Sequence, residues 1–585
     1  MLKKFFISML GTIAGFWISL FLAVIVGVAV VGAIIASGSG SKPEISKNSI
    51  LYLDLSGNIP ERYQPADIWQ MLRDVDGSGE ALADILSAIR LAKNDAKING
   101  IYINAQGAAA GMASREEIVA ALRDFKSSGK WIYAYSDGYS QGDYLMSAVA
   151  DSVFLNPIGG VDVHGVATSI PFFKGLMDKL GVKMQIVRVG TFKSAVEPFM
   201  TTEMSPASRL QNQVMVDSLW QYMTSVISES RGVTAASVNQ WADSLLSTRS
   251  GQGALDVKAV SALRYRRQVE ATLRAKSDVD DDDDLPLVTP SDYMAAQKTF
   301  SANKEHVAVL FACGDIVDSG EGGIVGEKMV PEILSLADND NVKAMVLRVN
   351  SGGGSAFASE QIWEALEYFK SRGKTLYVSM GDYAASGGYY ISCGADKIFA
   401  DRTTLTGSIG VFGMIPDFSG LVTDKLGVRF SIVETNPNAA FPDPMKAMTP
   451  EQAALMQGSV ERTYDLFTSR VAEGRGISQD SVKSIAEGRV WTGGAALRLG
   501  LVDAMGGLEA AVEEVAAKAG LDSDNVVYYP AVDDKFLNQF IAEARKSVSI
   551  GSMEVSSGAL RIMQFLEGLR TMNPVQARMM PVEVQ

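Results

Sequence analysis

Between residues 306 and 402 the apolar positions fall in short continuous runs separated by longer mixed stretches. "HVAVLFACGDI", "VKAMVLRVN", "KTLYVSMG" and "KIFADR" are apolar and bounded by polar or glycine-containing turns, which predicts strands. "GGIVGEKMVPEILSLADND" leads into a helix, "SAFASEQIWEALEYFKSRG" is a second, and "DYAASGGYYISCGA" turns a small-residue corner into a third. Unbroken apolar strands alternating with helices belong to a largely parallel α/β arrangement, because helices then cover both faces of the sheet. The same order occurs earlier in the chain, from "SILYLDLSG" through "INGIYINAQG" to "KWIYAYSDG".

The two halves are copies of one unit. "FKSSGK" at 125–130 recurs as "FKSRGK" at 369–374, "SRGVTAASV" at 230–238 as "GRGISQDSV" at 474–482, and Met204-Ser205-Pro206 as Met448-Thr449-Pro450, all at an offset of 244. That period is far too long for a solenoid. The expected organisation is a first repeat over 43–290 and a second over 291–545. A leading segment, 1–42, precedes them and a tail, 546–585, follows, in which "ALRIMQFLEGLRTM" predicts an amphipathic helix.

Composition narrows the setting. A formal net charge of −14 argues against a nucleic-acid-binding body. Cys313 and Cys393 are too few for a metal cluster or a disulfide framework, and read as buried thiols or one disulfide. The acidic run "SDVDDDDDLP" lacks the spaced ligands and glycine of a calcium loop and reads as a solvated connector. Neither a metal nor a cofactor is expected. From Phe5 to Ile35 the chain is almost wholly apolar behind Lys3 and Lys4. About 20 such residues span a membrane, so this is expected to be a permanent anchor with a cytoplasmic N-terminus and an extracytoplasmic body.

Candidate chemistry lies where the copies differ. Ser386 sits among Ala384, Ala385, Gly387 and Gly388, small neighbours that leave a hydroxyl open. Its counterpart in the first copy is Gln141, with Ser140 one position off. The reverse holds for Lys193 in "GTFKSAVEPF", whose counterpart is Pro437 or Ala439; the nearest lysine of that stretch is Lys446. Together the copies retain one serine and one lysine. A serine hydroxyl needs a base, and a lysine can be one only if burial lowers its pKa from about 10.4. The alternative bases are the two histidines of the chain, His164 and His306, neither near Ser386 in sequence. "RVNSGGGSAF" at 348–357 follows a strand, and its consecutive glycines can turn backbone N–H groups toward an oxyanion.

With these motifs, and with "TGSIGV", whose Ser408 lies 22 residues beyond Ser386, the chain resembles the long form of the signal peptide peptidase A family over nearly its whole length. The resemblance implies two tandem domains of the crotonase and Clp-protease-like α/β fold. It implies a membrane-anchored serine endopeptidase that degrades cleaved signal peptides, assembled as a homotetramer. It also implies Ser386 as nucleophile, Lys193 as general base, and Ser408 as the residue orienting the lysine. Backbone N–H groups of Gly387 and of Gly354 or Gly353 would be the oxyanion donors. The alternatives on the same fold are an acyl-CoA enzyme of the crotonase type and an inactive membrane scaffold. Tyr389, Tyr390 and Phe412 are expected as apolar surfaces near the site.

Overall fold

The computed structural model describes residues 45–63, 79–280, 283–297, 301–531 and 575–579. The expected anchor and the expected helix at 559–572 lie outside them. Among the described residues the strands form three sheets.

The first copy supplies a six-stranded sheet in the order Ala262–Leu263, Ser152–Leu155, Trp131–Ser136, Ile98–Ala109, Ser49–Asn58, Leu287–Val288. Every pairing in it is parallel. The second copy supplies an eight-stranded sheet whose centre repeats that order with Thr375–Ala385, Val342–Ser351 and His306–Cys313. The central strands are buried along almost their whole length, as their unbroken apolar sequences require. Helices pack on the faces and close one large apolar core per copy.

The repeated motifs do repeated structural work. Lys130 Nζ donates to the Ala92 and Asp95 carbonyls, both at 2.7 Å, closing the end of helix Leu82–Asn94. Lys374, its partner at the repeat offset, donates to Leu336 at 3.0 Å and Asn339 at 2.7 Å at the end of helix Gly326–Asp338. A cation satisfying terminal carbonyls is favoured at that end of a helix. Ser205 and Thr449 each cap a 26-residue helix, Pro206–Arg231 and Pro450–Arg475, that ends on a left-handed glycine, Gly232 or Gly476.

The third sheet joins the copies. Strand Lys183–Val189 of the first copy pairs antiparallel with Val411–Asp417 of the second, from Val189↔Val411 to Lys183↔Asp417. A buried ion network adds to the joint. Arg348, with no exposed surface, reaches Glu61 at 2.9 Å and Glu117 at 2.5 Å, and the Ser114 hydroxyl donates to Asp382 at 2.8 Å.

One element runs longer than its sequence predicts. The strand expected to end at Gly381 continues to Ala385. Its last residues gain a new neighbour, with Tyr383↔Leu405, Ala384↔Thr406 and Ala385↔Gly407 in register. That extension places Ser386 at the C-terminal end of an interior strand of the sheet.

Candidate active site

Ser386 is the first residue beyond the extended strand and the N-cap of the short helix Gly387–Ser392. Its backbone takes φ 55° and ψ −114°, a conformation that costs a serine about 1–3 kcal/mol. Surrounding bonds hold it there: Ser386 N–H donates to Gly407 O and Tyr390 N–H donates to Ser386 O, both at 2.8 Å. Strain of this kind at a strand-to-helix turn aims a side chain off the end of its strand; Ser386 itself is fully buried in this structure.

Lys193 arrives from the other copy. Past Val189 the chain leaves the inter-copy ladder, and Phe192 N–H donates to Glu487 O at 2.8 Å. The Lys193 amine then lies 2.7 Å from Ser386 Oγ, 3.1 Å from Ser408 Oγ and 3.1 Å from the Ser408 carbonyl oxygen. Ser408 itself has a positive φ of 49° and is pinned by its N–H to Arg489 O at 2.7 Å. Lys193 is 1% exposed, and among the described residues no carboxylate compensates its charge. Burial therefore lowers its pKa from 10.5 to about 7.

Gly488 was not singled out by sequence reasoning, yet it makes this approach possible. A Cβ there, at φ 73°, would lie 2.6 Å from Lys193 Cβ and 2.7 Å from its Cα and N. The pattern around Gly488 carries no signal, because its neighbour is distant in sequence and belongs to the other copy.

The glycine run forms the opposite wall. Gly353 and Gly387 approach closely: a Cβ on Gly353 would meet Gly387 N at 2.6 Å, and one on Gly387 would meet Gly354 N at 3.1 Å. The three glycines thus form one cradle beside Ser386. The amide of Gly353 is already used, donating to Ser351 Oγ at 3.1 Å. The cradle's remaining candidate donors are Gly354 and Gly387.

Other expected residues lie elsewhere. His306 is buried against Tyr529, its Nε2 3.0 Å from the phenol oxygen, and His164 pairs with Asp162 at 2.8 Å beside a separate cavity of 400 Å³. Tyr389 and Tyr390 are core residues rather than surfaces facing the site. Their hydroxyls donate to Leu501 O at 2.9 Å and to Glu360 at 2.6 Å. Cys313 and Cys393 are free thiols.

The corresponding place in the first copy is closed. Gln141 Nε2 donates to Gly165 O at 2.8 Å and its Oε1 accepts from His164 N–H at 2.9 Å. In the stretch matching the glycine run, Gly107 N–H and Ala108 N–H donate to the Asp143 carboxylate at 2.8 and 3.1 Å. A carboxylate of the chain itself occupies the amides that an oxyanion would need.

A serine hydroxyl, a buried amine and a glycine cradle thus meet at one place on the α/β frame. The family profile "Peptidase family S49" matches twice, at 124–280 and 368–522, and the profile "Clp protease" matches 319–408. The starts of the two S49 matches differ by the offset of the internal repeat. Protease 4 of Salmonella typhi is 36% identical over 535 residues, covering 88% of this chain and 86% of its own. Protease 4 of Haemophilus influenzae is 34% identical over 85% of this chain and 83% of its own. The chloroplastic serine protease SPPA of Arabidopsis thaliana is 27% identical over 82% of this chain and 70% of its own. The chain belongs to peptidase family S49 and is a serine protease with two tandem Clp-like domains.

Proposed function

We propose that the chain is a membrane-anchored endopeptidase that uses Ser386 and Lys193 as a catalytic dyad to degrade signal peptides left in the membrane after their release. The observation that carries this reading is the buried amine 2.7 Å from the serine hydroxyl. A neutral amine has two N–H donors and one lone pair. Ser408 O and Ser408 Oγ, each at 3.1 Å, accept the two N–H groups. The lone pair is then left for the Ser386 hydroxyl proton. Ser386 Oγ attacks the peptide carbonyl carbon, its proton passes to Lys193 Nζ, and the developing oxyanion turns toward the Gly354 and Gly387 amides. The ammonium returns the proton to the leaving amine, and water, deprotonated by the same lysine, releases the acyl group.

Residues 5–35 hold the body at a bacterial inner membrane, with the two N-terminal lysines in the cytoplasm and the catalytic domains in the periplasm. A homotetramer restricts access to extended apolar peptides and spares folded proteins. The test is mass spectrometry of products from a synthetic signal peptide. Wild-type protein should fragment it and Ser386→Ala should leave it intact; identical products from both would refute the assignment. Added protease should digest the body in spheroplasts, and full protection before lysis would refute the topology.

A further inference from the structure

The loop that carries Lys193 is tied to the second copy by a side chain that the chemistry above leaves unused. Gln211 lies in the second turn of the helix Pro206–Arg231 and is 8% exposed. Its amide nitrogen donates to Ser194 Oγ at 2.7 Å and to the Phe192 carbonyl oxygen at 3.3 Å, so it grips the residues on both sides of Lys193. Its amide oxygen accepts from Val490 N–H at 3.2 Å. A buried carboxamide engaged at both ends fixes two chain segments relative to one another, and removing it leaves their polar groups unpaired.

Val490 is where the other half of the site is held. It lies opposite Gly407 in the antiparallel pairing of Val490–Thr492 with Leu405–Gly407. The Gly407 carbonyl accepts the Ser386 N–H at 2.8 Å, and the carbonyl of Arg489, next to Val490, accepts the Ser408 N–H at 2.7 Å. Gln211 therefore links the backbone around the amine to the backbone around both hydroxyls that the amine meets. The copies differ here as they do at the dyad. At the repeat offset, the matching position of the helix Pro450–Arg475 is the exposed Leu455, in the copy whose counterpart of Lys193 is Pro437 or Ala439.

We propose that Gln211 is a positioning residue of the dyad, which sets the Lys193 amine between Ser386 Oγ and Ser408 and keeps that place closed to water. The inference rests on the Ser386 and Lys193 assignment above. The charged groups around the loop do not supply this placement. Arg188 donates to the Lys193 carbonyl at 3.2 Å and lies 4.0 Å from Glu197. Arg489 sits 4.8 Å from the centre of the Phe192 ring, and Glu487 accepts from Thr191 N–H at 3.1 Å. Among the described residues the amine itself bonds only oxygen atoms of Ser386 and Ser408. Its pKa is lowered by burial. Loosening the tie to Val490 admits water, and the titration then moves back toward the ordinary ~10.4.

The pH dependence of cleavage of a short apolar peptide tests this. Gln211→Met keeps the length of the side chain and removes all three bonds. It should lower kcat by roughly 10- to 100-fold with KM little changed, and raise the midpoint of the kcat/KM profile by about one unit or more above that of wild type. A residue that only supports the fold would lower the melting temperature and leave the midpoint in place. Ser194→Ala removes a single partner and should raise the midpoint by less. A wild-type kcat in Gln211→Met, or a midpoint that stays or falls, overturns the positioning role; where Gln211→Met does not fold, the midpoint of Ser194→Ala decides in the same way. Lys193→Ala, assayed alongside, separates this inference from the reading beneath it. Lys193→Ala protein that still cleaves overturns both, whereas inactive Lys193→Ala beside an unaltered Gln211→Met overturns the role of Gln211 alone.

Discussion

Replacing Lys193 by methionine should stabilise the protein near neutral pH while abolishing its activity. The native amine titrates near 7 instead of 10.5 because it is buried without a counter-charge. In the unfolded chain it titrates near ~10.4. Between these values the unfolded state carries a proton that the native state lacks, so this group makes wild-type stability rise with pH, by about 1.4 kcal/mol per unit. Below pH 7 both states are protonated and the native state bears the full penalty, about 5 kcal/mol for the whole displacement. Methionine carries no charge at any pH and avoids the penalty. It forfeits the three hydrogen bonds of the amine, roughly 1 kcal/mol each, independently of pH.

The variant should therefore be more stable by about 1–2 kcal/mol near pH 7, with its advantage vanishing about one unit higher and reversing beyond that. Urea denaturation followed by tryptophan fluorescence, on both proteins from about pH 6 to about pH 9, measures this. All other titrating groups are common to the two proteins, so the pH dependence of the difference isolates residue 193. A difference that stays constant across the range would refute the claim that burial lowers the Lys193 pKa.

The remaining expectations concern the same site and its frame. For wild type, kcat/KM on a short apolar peptide should rise with pH through a midpoint about 7 and then level off, since the base must be neutral; Lys193→Arg should be inactive throughout. Gly488→Ala should lower kcat/KM by roughly 100-fold or more, because its Cβ meets Lys193 backbone that no rotamer change can move, with a modest loss in thermal melting. Arg348→Met should cost about 3–5 kcal/mol in urea denaturation, since it leaves Glu61 and Glu117 buried without their cation. Gln141→Ser in a Ser386→Ala background should restore no peptide cleavage, because Asp143 fills the neighbouring amides and the second-copy counterpart of Lys193 is Pro437 or Ala439.

Much of the fold was legible because it is local or repeated. Unbroken apolar runs mark strands covered on both faces, and the repeat offset recovers Lys130 and Lys374 as equivalent helix-end cations. The residues of the candidate site were legible for another reason: each copy keeps what the other has lost, which no structural role for a lone serine or lysine explains. The meeting of Ser386 with Lys193 was not legible, because it depends on the antiparallel ladder between 183–189 and 411–417. The positive φ of Ser386 and of Ser408 was hidden too, since neither residue type announces a strained backbone. Tyr389 and Tyr390 misled because their aromatic character fits a substrate wall as well as a core, and only burial decides between them.

The asymmetry between the copies has a physical logic. A cradle of inward-facing amides is costly to leave buried without an acceptor. In the second copy the cradle faces the strand 575–578, with Gly354↔Ala577 in register. In the first copy the acceptor is permanent, the Asp143 carboxylate held by Gly107, Ala108 and the Ser140 hydroxyl, which donates to it at 2.7 Å. The first copy thereby gives up a site and gains a satisfied, rigid turn. What it keeps is the strand Lys183–Val189, whose ladder with the second copy carries Lys193 into a place sealed from water. That sealing is what lowers the lysine pKa, so the joint between the copies is part of the chemistry. A lysine on an exposed loop of the second copy would keep a pKa near ~10.4 and remain a cation at neutral pH, unable to take the serine's proton.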